Sequence, residues 1–269
     1  MTGLPPAPLT ALPEAALRRA VGVMTDIDDT LTAGGRLDPA AEQALQALHA
    51  AQIPVIAITG RPLGWSEPHA LAWPVAAIVA ENGAVALIRD GGALLTEYVQ
   101  DEATRRRNAV RLREVAQRVL REIPGTVLAR DSAGRVTDIA VDHGEFAHLD
   151  TATIARVVAL MRDEGMNATV SSIHVNGWFG AHTKLSAAYW MVRRLFGRDL
   201  AAEIERWVYV GDSTNDQAMF GAFPSSVGVA NLRHFAAELH TWPAYLTAGE
   251  RGVGFAEVAT RLIAARGRA

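Results

Sequence analysis

Cysteine is absent from the 269 residues, lysine occurs once among 26 basic side chains, and no apolar run approaches the length that spans a bilayer. Without thiols there are no disulfides, thiolate metal sites or cysteine nucleophiles, so any catalysis here rests on oxygen or nitrogen groups. Without about 20 consecutive apolar residues there is no membrane-spanning helix. A net charge of -3 gives no large basic surface and no reason to expect a nucleic-acid partner. The segment Met1 to Pro8 lacks the basic start and apolar stretch of a secretory leader, and a cytoplasmic location is expected.

With 49% hydrophobic and 20% charged residues, the composition is that of a folded globular protein, long enough for one large domain or two unequal ones. Val21 to Asp26, Ile53 to Thr59 and Val75 to Ala80 read as strands, and Pro39 to Ala51 as a helix between the first two. Short, continuous apolar runs separated by helices predict a parallel sheet covered on both faces, with ligands at the carboxyl ends of its strands.

The pattern changes after Asn82-Gly83. Ala84 to Ile88 and Ala93 to Val99 around Asp90-Gly-Gly92 read as a hairpin, followed by an arginine-rich helix from Asp101 to Glu122. In that helix Leu112, Val115, Val119 and Leu120 fall at helical spacing between the arginines, which predicts a solvated basic face. A second hairpin, Val127 to Arg130 with Val136 to Val141, precedes a helix near Thr151 to Glu164 and a strand from Val170 to Val175. This block predicts an antiparallel sheet with helices on one side. From Lys184 the parallel pattern returns: helix Leu185 to Phe196, strand Trp207 to Val210, strand Ser226 to Val229 and a closing helix near Phe255 to Ala264. The expected organisation is an α/β core from 1–83 and 180–269, with an inserted α+β cap at 84–179.

The chemistry gathers at the expected strand ends. Asp26 and Asp28 stand one residue apart after the first apolar run, and in extended chain they would project to one side. Two adjacent carboxylates resist ionising together and call for a cation. Thr59, Lys184, Asp212 and Asp216 add a hydroxyl, an ammonium and further acids, a set suited to phosphoryl transfer with a hard divalent ion such as Mg2+. Arg61 and Asn82 also sit at strand ends, either against substrate or holding a loop. In Ser171-Ser-Ile-His-Val-Asn176 the polar residues alternate, so Ser172, His174 and Asn176 are expected on one strand face, looking down on the site.

These residues and their order resemble the haloacid dehalogenase superfamily. The likeness is to its Cof-like, large-cap branch, which includes sucrose-phosphate and mannosyl-phosphoglycerate phosphatases. Asp26-Ile-Asp-Asp-Thr30 is similar to the first motif, Thr59 to the second, Lys184 to the helix-start lysine of the third, and Gly211-Asp-Ser-Thr-Asn-Asp216 to the fourth. Thr59 follows Asp28 by 31 positions, too few for a cap, whereas 125 positions separate Thr59 from Lys184 and hold one, as in that branch. The resemblance implies a Rossmann-like core, and Asp26 as nucleophile with Asp28 as acid and base. It implies Mg2+ held by Asp26, Asp212 and the backbone carbonyl of Asp28. Phosphoryl oxygens would be bound by Thr59 and Lys184, with Thr30 and Gly60 in support, while Asn215 and Asp216 would orient the loop or a metal-bound water.

Asp29 stands where many relatives carry glycine, and the fourth motif lacks the wording usual in trehalose-phosphate phosphatases. The implied substrate is a small phosphorylated metabolite, a sugar phosphate or sugar-acid phosphate, acted on by a monomer or homodimer. A phosphosugar mutase of the phosphomannomutase type and an inactive phosphosugar-binding protein are the alternatives.

Overall fold

The computed structural model describes residues 5–267. Met1 to Leu4, half of the segment from which the cytoplasmic expectation was drawn, lie outside the described residues, as do the last two residues of the expected core. The chain begins with β1 (Ala7–Pro8) and α1 (Glu14–Arg19), then β2 (Gly22–Thr25) and a small hairpin of β3 (Thr32–Ala33) and β4 (Arg36–Leu37). It continues through α2 (Pro39–Ala50), β5 (Val55–Ile58), α3 (Leu63–Ala72), β6 (Ala77–Ala80), β7 (Val85–Asp90) and β8 (Ala93–Tyr98). An inserted stretch holds α4 (Glu102–Glu122), β9 (Val127–Leu128), β10 (Asp138–Asp142), α5 (Thr151–Asp163), β11 (Asn167–Val170) and β12 (His174–Trp178). The chain then supplies α6 (Lys184–Phe196), β13 (Trp207–Gly211), α7 (Gln217–Ala222), β14 (Ser225–Gly228), β15 (Tyr245–Leu246) and α8 (Arg251–Arg266).

Nine strands form the core sheet in the order β1-β15-β14-β13-β2-β5-β6-β7-β8. The pairs from β1 to β6 are parallel, and β7 and β8 add an antiparallel edge. Successive residues of each central strand enter opposite apolar layers. Val23, Val55 and Ala57 lie in the layer with α2 and α8, whereas Met24, Ile56 and Ile58 lie in the layer with α6 and α7. Burial on both faces is why these strands read as uninterrupted apolar runs. Helix starts are fixed locally: Asp38 accepts the amide of Ala40 ahead of Pro39, and Thr183 and Ser186 form a reciprocal cap at the start of α6.

The hairpin expected to open the insertion instead completes the core sheet. Val85 and Leu87 pack into one core layer and Ala86 and Ile88 into the other, so β7 is sandwiched like its parallel neighbours rather than half-exposed. Gly91 and Gly92, both at positive φ, close its turn. The inserted unit therefore runs between β8 and α6. Its sheet, β11-β12-β10-β9, is antiparallel and carries α4 and α5 on one face through Leu112, Val115, Val119, Val157, Met161, Val141 and Val175. Leu120, expected on the apolar stripe of α4, is exposed, and Ala116 is buried in its place. The expected strand from Val170 to Val175 is two strands, because the chain turns at Ser171 to Ile173. Among the described residues no helix is long and apolar enough to cross a membrane.

Candidate active site

Register places the chemistry at one sheet edge. Thr25, the last residue of β2, is level with Val210 of β13 and Ala57 of β5. The next few residues of each strand, Asp26, Asp212 and Thr59, therefore leave the sheet together. Lys184 reaches the same point from the first turn of α6. Its Nζ lies 2.9 Å from Asp26 Oδ2 and 2.8 Å from Asp216 Oδ1, and it donates to Asn215 Oδ1 at 3.2 Å.

Asp26, Asp212 and Asp216 each offer an oxygen within 4.8 Å of the others, and all three are buried. Burial pushes the Asp26 carboxyl up to about 7; Lys184 opposes the rise, and Asp216 and Asp28 add to it. Burial, then Asp26 and Asp216, holds Asp212 well above the usual carboxylate range. Burial alone would lower Lys184, but Asp216 and Asp26 keep its proton firmly in place. Three buried carboxylates against one ammonium are short of positive charge, and their hard oxygen donors fit a divalent cation such as Mg2+.

The three acids are not equivalent. Asp216 accepts from Lys184, the Tyr209 hydroxyl and the amides of Asp212 and Ser213, so it holds the loop rather than offering free lone pairs. That carboxylate also fixes Gly211, whose added Cβ would sit 2.4 Å from Asp216 Oδ2. Asp26 and Asp212 are the freer pair. Asp212 takes a hydrogen bond from the Thr30 hydroxyl at 3.1 Å. The side-chain amide of Asn231, which also donates to the Asp29 carbonyl, lies 3.5 Å from its other oxygen. Asn231 was missed in the sequence, although it follows a core strand, β14, at the same edge.

Asp28 has different company. Its carboxylate is outside the acidic trio and accepts Arg61 Nε at 2.9 and 3.0 Å. Burial raises its pKa and Arg61 offsets part of the rise. Arg61 also reaches the inserted unit, pairing with Glu145 at 2.8 Å and Asp131 at 3.3 Å. Arg135 extends the network to Asp131, Asp138 and the Gly60 carbonyl. Glu145, Asp131 and Arg135 lie on irregular stretches, and no periodicity in the sequence points to them.

The remaining expected residues divide. The Thr59 hydroxyl is buried and accepts the Arg61 amide at 3.0 Å. Gly60 leaves room beside Asn82 and Asn176, both within 3.4 Å of where its Cβ would be. Asn82, at φ 56, has a buried side-chain nitrogen without a partner. His174 and Asn176 share the polar face of β12, and Asn176 donates to Asp138 at 3.1 Å and to the Gly60 carbonyl at 3.3 Å. Ser172 does not join them, because it sits in the turn that interrupts the expected strand.

Residues 23–108 match the family described as haloacid dehalogenase-like hydrolase. No protein of curated function matches the sequence. Among solved structures, a Thermoplasma acidophilum protein aligns at TM-score 0.67 and 13% identity, over 90% of this chain and 98% of its own. The Synechocystis sucrose-phosphatase, solved with sucrose and phosphate, aligns at TM-score 0.62 and 15% identity, over 91% and 98%. Aspergillus fumigatus trehalose-6-phosphate phosphatase aligns at TM-score 0.54 and 16% identity, over 97% and 100%. These likenesses span core and insertion together. The opening third of the chain therefore carries the sequence signature of the haloacid dehalogenase-like hydrolases, and the chain as a whole has the fold of these solved structures.

Proposed function

We propose that the chain is a Mg2+-dependent phosphatase that hydrolyses a small phosphorylated metabolite, of the sugar-phosphate kind, through an aspartyl-phosphate. One observation carries this reading. Two aspartates separated by a single residue have separate cations: Asp26 faces Lys184 in the acidic trio, and Asp28 faces Arg61 beneath the inserted unit. One carboxylate is thereby kept for attack and the other for proton transfer.

Asp26 attacks phosphorus, and the bond to the leaving oxygen breaks as Asp28 gives that oxygen a proton. Asp28 then removes a proton from the water that attacks the phosphoryl group, which frees phosphate and regenerates Asp26. Lys184 and Thr59 bind phosphoryl oxygens, and Asn215 and Asp216 keep Lys184 in place. Asp26, Asp212 and the Asp28 carbonyl would hold the ion, which would supply positive charge beside the phosphoryl group. The unit between β8 and α6 acts as the cap and shields the site from bulk water.

Turnover of p-nitrophenyl phosphate with Mg2+ tests the assignment. Asp26→Asn lowers kcat by at least about 10⁴-fold. Retention of a tenth of the activity would remove Asp26 as nucleophile.

A further inference from the structure

Because Asp28 meets the scissile oxygen, whatever departs with that oxygen lies against the neighbours of Asp28. Those neighbours form a wall of paired charges. Arg61 has five N–H donors, and each of its three nitrogens lies against a carboxylate. Nε lies on Asp28, Nη2 is 2.9 Å from Asp28 and 2.8 Å from Glu145, and Nη1 is 3.3 Å from both Glu145 and Asp131. Arg135 is equally committed, to Asp138 at 2.8 Å, Asp131 at 3.1 Å and the Gly60 carbonyl. Two guanidiniums thus face four carboxylates, Asp28, Asp131, Asp138 and Glu145, and every nitrogen of both already lies against a carboxylate or carbonyl oxygen.

The same wall does have acceptor capacity. Although burial works against it, the proximity of His174 and the hydrogen bonds from Arg61 bring the Glu145 carboxyl down to about 2, so it is ionised at neutral pH. His174 Nε2, 2% exposed, lies 3.1 Å from Glu145 Oε2 without the alignment of a hydrogen bond. The Glu145–Arg61 pair borders the loop between β3 and β4. A Cβ on Gly35 would stand 3.8 Å from Glu145 Oε1, and one on Gly34 would meet open space.

We propose that Glu145 and His174 read a hydroxyl beside the scissile oxygen, and that this wall selects an uncharged, polyhydroxylated leaving group over one bearing a carboxylate or a second phosphate. The inference rests on the phosphatase reading and narrows its substrate class. A neutral polyol supplies O–H donors to Glu145, whereas an added anion meets like charge with no free cation.

The test compares kcat/KM within matched pairs, glucose 6-phosphate against 6-phosphogluconate and ribose 5-phosphate against 5-phosphoribonate, with p-nitrophenyl phosphate as reference. The neutral member is expected to be preferred at least tenfold, and Glu145→Gln to lower that ratio about tenfold while Asp131→Asn lowers it less. Because the ratio is internal to each variant, a general loss of activity leaves it readable, and a melting curve checks folding. Equal or reversed preference in the wild type overturns the inference. It would place the leaving group instead in the cavity of about 370 Å³ beside Lys184 and Asn215, which Arg162 also lines while bonding only a backbone carbonyl. An unchanged ratio in Glu145→Gln overturns it too, as does reference turnover without hydrolysis of any sugar pair. Failure of the reference itself would overturn the phosphatase reading and this inference with it.

Discussion

The core edge and the inner face of the cap position their charged groups in opposite ways. At the core edge, Asp26, Thr59 and Asp212 are placed by strands buried on both sides, so apolar packing and sheet register decide where each side chain points. On the cap side, Asp131, Arg135, Asp138 and Glu145 hold one another and the core through Arg61 and Gly60, with loops supplying three of the four. A register-set group keeps its place when a neighbour is removed, whereas a group set by ion pairs loses its reference. Core substitutions should therefore cost rate, and cap substitutions should cost discrimination or local order.

The sharpest way to break that contrast is Lys184→Met. The change leaves α6 intact in hydrophobic bulk but strips the acidic trio of its only ammonium and the phosphoryl group of a donor. We expect kcat to fall by about 10²–10³-fold with little loss of folding stability. The measurement is turnover of p-nitrophenyl phosphate beside a urea melt. A collapse of stability with the rate per folded molecule preserved would make Lys184 a structural cation.

The next largest effect should come from Glu81, which crosses the boundary between the two regions. Its buried carboxylate accepts the amides of Leu63 at 3.0 Å, Val136 at 3.1 Å and Thr137 at 2.6 Å, together with the Thr137 hydroxyl. Glu81→Ala leaves these donors without an acceptor, a cost of about 3 kcal/mol. Amide exchange at Val136 and Thr137 should quicken more than exchange in β2 and β5. Equal acceleration in core and cap would show that the two regions open as one unit.

What was legible in the sequence follows the same division. Core strands could be read because burial on both faces writes continuous apolar runs, and their carboxyl ends collect Asp26, Thr59, Asn82 and Asp212. Lys184 stood out as the single lysine. His174 and Asn176 were legible through period-two alternation, but the same pattern misplaced Ser172, since alternation cannot see a turn between two short strands. The hairpin at Val85 to Tyr98 was assigned to the insertion because an antiparallel pair looks alike at a sheet edge or in a separate domain. Only its partners distinguish the cases. Glu145, Asp131 and Arg135 gave no signal, because their meaning lies in tertiary pairing rather than spacing.

The smallest expected effect concerns the crossing from cap to core, where the comparison meets its boundary. His182 is buried, stacks on Trp178 at 5.7 Å between centroids and has an unpartnered Nε2, and burial lowers its pKa to about 4. The unfolded chain accepts a proton near the ordinary histidine value of 6.5. Between about pH 6.5 and 4 it therefore binds a proton that the folded chain refuses, and stability contributed at this position is lost as pH falls, by at most about 3 kcal/mol. Asp138 acts in the opposite sense, because burial raises it to about 6 and the folded chain takes its proton first. A wild-type profile alone would blend these with the raised carboxyls of the core edge. His182→Phe keeps a ring against Trp178 and removes the titration, so its stability relative to wild type should rise as pH drops through this window. A difference that stays flat from pH 7 to 4 would mean that the crossing opens enough to hydrate the imidazolium, and that it belongs with the ion-paired cap rather than with the core.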